Sequence, residues 1–237
     1  MTENHSSCIR FSDARICRYC YCCSIIKNGT TKTGKQQYFC KNCRKRFIAF
    51  YTYQAYRDNI NALIIRFTKE GLGIRSTARL LSISTTTLLK RITAIADHMV
   101  PPKISFGQSY ELDELRFFIG SKRNPMWLAY AFQKTTKQIV RFHVGKRTNK
   151  TLSHVIKTLI HSRPEKIYTN QLRNYQFLIP KAIHSTRRFG TNSIERSNLT
   201  TRTHLKRFNR RSICFTKSIQ ILNAVLKIYF WDTTYIR

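Results

Sequence analysis

The sequence predicts a mixed α/β protein in which two small modules precede a larger C-terminal domain. Three observations predict it: cysteines crowded near the N-terminus, helical periodicity from Asp58 to His98, and strand-like runs giving way to helical ones after Tyr110. At 237 residues the chain can hold small reader modules and a core domain of about 130 residues. Apolar residues at 42% and aromatics at 12% supply a packed interior and exclude a disordered chain.

The first module spans residues 8–50 and holds seven of the eight cysteines. Cys17-x2-Cys20 and Cys40-x2-Cys43 have the spacing of a four-thiolate zinc site, in which each pair sits on a tight turn and fills two tetrahedral corners. Cys20-x2-Cys23 also satisfies the spacing, but Cys17 with Cys20 leaves the better gap to the turn-like Lys27-Asn28-Gly29. A hairpin should then deliver the second pair, as in a zinc ribbon. So small a module has little core, and its metal would stabilise the fold outright. Cys8 and Cys214 read as plain thiols. The opposing reading, that these cysteines are small buried apolar groups, explains no spacing.

The second module, residues 56–100, places Ile60, Leu63, Ile64 and Phe67, then Ile74, Ala78 and Leu81, then Leu88, Ile92 and Ile95 at helical intervals. Three short helices follow from that pattern. A polar turn at Ser82–Ser84 and a cap at Ser84 or Thr85 make the last two a helix-turn-helix, whose second helix would enter the major groove. Thr85, Thr86, Lys90 and Arg91 are its exposed DNA-binding candidates. On this segment alone a plain three-helix bundle is the rival reading, which the cysteine module and the overall charge disfavour. Pro101 and Pro102 end it, since neither continues a helix.

The third domain, residues 106–237, opens with strands over Tyr110–Gly120, Trp127–Phe132 and Ile139–Val144. A helix over Asn149–Ile160, a strand over Lys166–Thr169, a further strand near Lys181–His184 and helices over Asn192–Phe208 and Ser218–Tyr229 complete it.

Charge narrows the function. Forty-three Lys and Arg against eleven Asp and Glu give +32, which calls for an anionic partner, and nucleic acid is the natural one. No apolar run of 18 residues is present, which argues against a membrane protein, and the N-terminus lacks the apolar core of a secretory signal. A reducing, cytoplasmic location is therefore expected, with cysteines binding metal instead of forming disulfides.

Acids are scarce enough that each invites a reason. Beyond Glu114 only Glu165, Glu195 and Asp232 remain, and Glu195 lies among Arg187, Arg188, Arg196, Arg202, Lys206, Arg207, Arg210 and Arg211. One reading is a salt bridge. The other is that Asp113 on the first strand and Glu195 on a late helix meet to bind magnesium or manganese, with Arg196, Arg202, Lys206 and Arg207 holding DNA phosphates.

Several blocks together carry a resemblance: the cysteine pairs with KNG and GKQQYFC, ARLLSIS, ELDE, WLAYAF, GKRTNKTL, HSTRRFGTNSIERSNLTTRTHLKRFNRRS, and TKSIQILNAVLKIYFW. The chain resembles the transposases of insertion sequence one, in the fused InsAB form and the variety of Bacteroides-like bacteria, over residues 17–231. The resemblance implies a ribonuclease-H-like domain of the retroviral-integrase type behind the zinc ribbon and helix-turn-helix. It also implies metal-dependent cleavage and strand transfer at terminal inverted repeats, double-stranded DNA as partner and target, a homo-oligomeric active complex and a place at the bacterial nucleoid. It makes Asp113 the first catalytic carboxylate and Glu195 the last, with Asn198, Arg202 and His204 on the same helix. The family's middle carboxylate falls in a T-D motif, where this chain reads Tyr168-Thr169-Asn170. Asn170 therefore occupies a catalytic position without the charge. A DNA-binding repressor without catalysis is the rival reading, and an RNA-packaging protein would share only the charge.

Overall fold

A computed structural model describes residues 16–48, 53–209 and 214–233. Cys8, Arg210, Arg211 and the outer ends of the first and last expected domains lie outside these residues. The chain falls into two compact units, one of residues 1–60 with 81–83, the other of residues 61–80 with 84–237.

In the first unit, β1 (Ile25–Thr30), β2 (Gln36–Cys40) and β3 (Arg46–Ile48) form an antiparallel sheet in the order β1-β2-β3. Lys27-Asn28-Gly29 is part of β1 and not the expected turn. Gly29 takes φ +69° where the β1–β2 register slips, so this glycine serves a bulge. The reversal falls at residues 31–35 instead, where the Thr31 hydroxyl accepts from the Lys35 amide at 3.0 Å. Tyr38 and Phe47 pack beside Cys17 and Cys40 as a minimal core.

Three helices follow the first sheet: α1 (Ile60–Lys69), α2 (Ile74–Leu80) and α3 (Thr85–Asp97). Between α2 and α3, Ser82 turns the chain at φ +52°, and Ser84 caps α3 by accepting from the Thr87 amide at 3.0 Å. Leu88, Ile92 and Ala96 bury one face of α3.

The second sheet has five strands: β4 (Ser109–Phe118), β5 (Pro125–Gln133), β6 (Gln138–Gly145), β7 (Lys166–Thr169) and β8 (His184–Ser185). Their order is β6-β5-β4-β7-β8, with β4, β5 and β6 antiparallel and β7 and β8 parallel to β4. This is the ribonuclease-H-like arrangement. Both faces are covered, so side chains two apart on a strand share one layer. Tyr110 and Leu112 of β4, with Ala129 and Ala131 of β5, pack under α4 (Asn149–His161) through Leu152, Val155, Ile156 and Leu159. On the opposite face, Phe117 meets Phe208 at 5.2 Å, and Tyr130 stacks on Phe230 of α7 (Ile219–Trp231) at 6.0 Å. Lys227 of α7 reaches the Ala96 carbonyl of α3, and Lys69 of α1 pairs with Asp232 at 3.2 Å, tying the helices to the sheet within this unit.

Three elements depart from expectation. A short helix, α5 (Arg173–Leu178), stands where none was read; it has no side-chain cap and spans only six residues, too few to show periodicity. The strand expected near Lys181–His184 shrinks to His184–Ser185, because the amides of Ile183 and His184 turn back onto the Pro180 carbonyl. The helix expected through Phe208 stops as α6 (Asn192–His204). Leu205 leaves helical geometry there, and a 3-10 turn over Lys206–Phe208 drives Phe208 into the core.

Candidate active site

The parallel register of β4 and β7 builds the site. Leu112 pairs with Thr169, so Asp113, in the middle of β4, lies beside Asn170, the first residue past the end of β7. Their side chains meet, Asn170 Nδ2 donating to Asp113 Oδ1 at 3.0 Å. Asn170 Oδ1 is engaged as well, accepting from the Leu172 amide at 3.1 Å, which fixes the orientation of the carboxamide. From α6, Asn198 Nδ2 donates to the other Asp113 oxygen at 2.5 Å, while its Oδ1 accepts from the Tyr130 hydroxyl at 2.6 Å. Tyr130 lies directly opposite Asp113 across β4 and β5, which explains why both reach the same helix.

Burial raises the Asp113 pKa above the ordinary carboxylate range. The Glu114 backbone amide and the Asn198 side chain oppose the rise, and the charges of Glu114 and Glu195 add to it. Glu195 is exposed in the first turn of α6, and its Oε1 accepts from the Thr191 hydroxyl at 2.8 Å. Of the three positions selected from the sequence, the fold sets Asn170 against Asp113, while Glu195 reaches Asp113 through its charge and bonds to Thr191.

Both acids flanking Asp113 were missing from the expected site. Glu114 points to the opposite face, where the wholly buried Tyr175 donates to it and Arg147 pairs with it at 3.3 Å. Glu111 shares the Asp113 face and is 1% exposed; its Oε2 accepts from the Ile194 amide at 2.7 Å. Alternation along ELDE was the available signal, since it places Glu111 with Asp113 and sets Glu114 apart.

The basic candidates separate by environment. Thr85, Thr86 and Lys90 are exposed on α3. Arg91, expected to be exposed, is half-buried and donates to Asn61 of α1 at 3.1 Å. On α6 Arg196 is exposed, whereas Arg202 is half-buried and donates to the Phe208 carbonyl at 3.0 Å, bracing the 3-10 turn. Lys206 is exposed; Arg207 is half-buried, and burial lowers its pKa.

In the first unit Cys17, Cys20, Cys40 and Cys43 bring their sulfurs within 4.8 Å of one another, which selects the Cys17–Cys20 register over Cys20–Cys23. Cys17 and Cys43 lie 3.5 Å apart, as do Cys20 and Cys40. A tetrahedral zinc with bonds of about 2.3 Å asks for sulfur separations of about 3.8 Å, so the four thiols fit zinc. Each pair is followed by a left-handed residue, Tyr21 at φ +56° and Arg44 at φ +55°, giving two similar knuckles. The zinc-ribbon expectation is met.

No helix among the described residues is long and apolar enough to cross a membrane. Residues 108–236 match the family model described as IS1 transposase. The insertion element iso-IS1n protein InsB of Shigella dysenteriae is 35% identical over 49% of this chain and 88% of its own length. The insertion element IS1 protein InsB of Shigella flexneri is 30% identical over 50% of this chain and 91% of its own. Among solved structures, the simian T-cell lymphotropic virus intasome in complex with PP2A regulatory subunit B56 gamma shows 18% identity and a TM-score of 0.36, over 69% of this chain and 66% of that one. The HTLV-2 integrase catalytic core domain in complex with magnesium shows 16% and 0.35, over 54% and 86%. The ribonuclease-H-like assignment rests on the strand order, and with the family match over more than half its length the chain belongs to the IS1 transposase family.

Proposed function

We propose that this chain is a DNA transposase of the nucleoid that binds the terminal inverted repeats of its own element and acts on target DNA as a homo-oligomer. In this reading residues 8–50 and 56–100 locate DNA ends, residues 106–237 carry the cleavage and strand-transfer site, and Asp113, Asn170 and Glu195 are its three positions. The observation that carries the reading is the meeting of Asp113, in the middle of β4, with Asn170, just past the end of β7, beside the helix that bears Glu195.

Asp113 and Glu195 are oxygen donors of the kind magnesium or manganese takes. The set as it stands does not fit a pair of divalent ions. Both Asp113 oxygens receive amide N–H groups, and the side-chain oxygen of Asn170 accepts from Leu172. A neutral residue also replaces one of three negative charges. Cleavage by this chain is accordingly expected to be weak, and a second reading, a DNA-binding repressor without catalysis, draws its support from that same amide-capped carboxylate.

Phosphates are met by Arg196 and Lys206, with Arg202 and Arg207 shaping the surface beneath them. Thr85, Thr86 and Lys90 read base edges from α3, with Arg91 holding that helix to α1. Binding of the full chain to a terminal-repeat duplex should exceed binding to random duplex and fall steeply with salt. Lys90→Ala should reduce the repeat-specific part. Equal affinity for both duplexes at every salt concentration would contradict the reading.

A further inference from the structure

We propose that Glu111 is a positioning residue that caps α6 from the neighbouring strand and so places Glu195 and Asn198 against Asp113. The assignment to catalysis rests on the active-site reading above; the capping itself stands on geometry. The first amides of a helix need acceptors from outside it, and the residue before the first turn ordinarily supplies one from its side chain. Thr191 holds that place in α6 but makes no capping bond. Its hydroxyl donates instead to Glu195. The Ile194 amide, immediately before Glu195, is satisfied by Glu111 Oε2 at 2.7 Å.

The rest of the arrangement supports the same role. Glu111 brings a negative charge to the positive end of a helix, where such a charge is favourable. Its second oxygen makes no hydrogen bond and is compensated by the Lys134 ammonium at 3.4 Å. Lys134 also lies 3.5 Å from the Gly190 carbonyl and 4.3 Å from the centre of the Tyr168 ring, so one cation spans the loop entering α6 and the strand leading to Asn170. Gly190 accepts no side chain, since a Cβ there would lie 2.7 Å from that ring. Two residues of one strand face, Glu111 and Asp113, thus hold α6 at two successive turns, at Ile194 and at Asn198.

Reach and charge can be separated by substitution. Glu111→Gln keeps an oxygen at the same reach without the charge, whereas Glu111→Asp keeps the charge and withdraws it by one methylene. Amide hydrogen exchange of the full metal-free chain, followed in peptides covering Ile194, reads the cap without any reaction. We expect exchange at Ile194 to quicken about tenfold in Glu111→Asp and to stay within about threefold of the parent in Glu111→Gln, with α4 and α7 unchanged in both. In an Asn170→Asp background, nicking of a terminal-repeat duplex should follow the same order. Parent-like exchange at Ile194 in Glu111→Asp would overturn the proposal, as would equal loosening of α4 and α6 in either variant. Failure of Asn170→Asp itself to nick would count against the active-site reading, while the exchange result would still decide the role of Glu111.

Discussion

At the scale of single residues, the site is organised around a buried carboxylate held by amides. Because burial raises the pKa of folded Asp113, the proton is bound more tightly in the folded chain than in the unfolded one. Its contribution to stability is therefore fully present below the unfolded value and is lost as pH rises through the raised folded value. Denaturation of the metal-free chain should show Asp113→Ala gaining on the parent as pH is moved from 4 to 8, and a constant difference would contradict the shift. Asn198→Ala removes one of the two amide donors to Asp113 and leaves the Tyr130 hydroxyl only the Ile194 carbonyl, and should cost about 1–3 kcal/mol in a urea titration. Asp113 and Glu195 were legible as residues because acids are rare in a chain of this charge. Glu111 was not, since its task is set by an amide of α6 that is distant in sequence.

At the scale of elements, caps and close approaches decide which sequence signals survive. The Ser84 cap and the spacing of Leu88, Ile92 and Ile95 made α3 readable, and a strand-like run made β4 readable. The six-residue α5 was not, being too short to show a period, and the strand near Lys181–His184 was read but its bounds were not. Gly71 shows how the helical segment is seated on α6. It takes φ +75°, and a Cβ there would lie 2.1 Å from the His204 carbonyl oxygen. Gly71→Ala should then cost about 2 kcal/mol or more, through both strain and displacement of backbone. A urea midpoint equal to that of the parent would refute this seating. The ribbon depends on its ligands in the same local manner: Cys40→Ser should lower zinc content from about one per chain and unfold the sheet that Cys40 terminates. Unchanged zinc by metal analysis would exclude the four-thiolate site.

At the scale of the whole molecule, a net charge of +32 calls for a polyanionic partner, and Asp113 on the central strand lies under α6, the helix that carries Glu195. Composition alone would have allowed an RNA-packaging protein. What favours the transposase reading is the strand order, which sets Asp113 of the central strand beside Asn170 and under α6, the helix that carries Glu195. The central claim is that Asn170 stands where a third carboxylate would complete that site, and reversion tests it most directly. Asn170→Asp should replace an amide donor to Asp113 with a charged ligand and raise manganese- or magnesium-dependent nicking of a terminal-repeat duplex by on the order of a hundredfold or more, since each ~1.4 kcal/mol of recovered transition-state stabilisation is tenfold in rate. The gain should vanish when Asp113→Ala is added. A parent already as active as the revertant, or a revertant whose gain survives Asp113→Ala, would contradict the account.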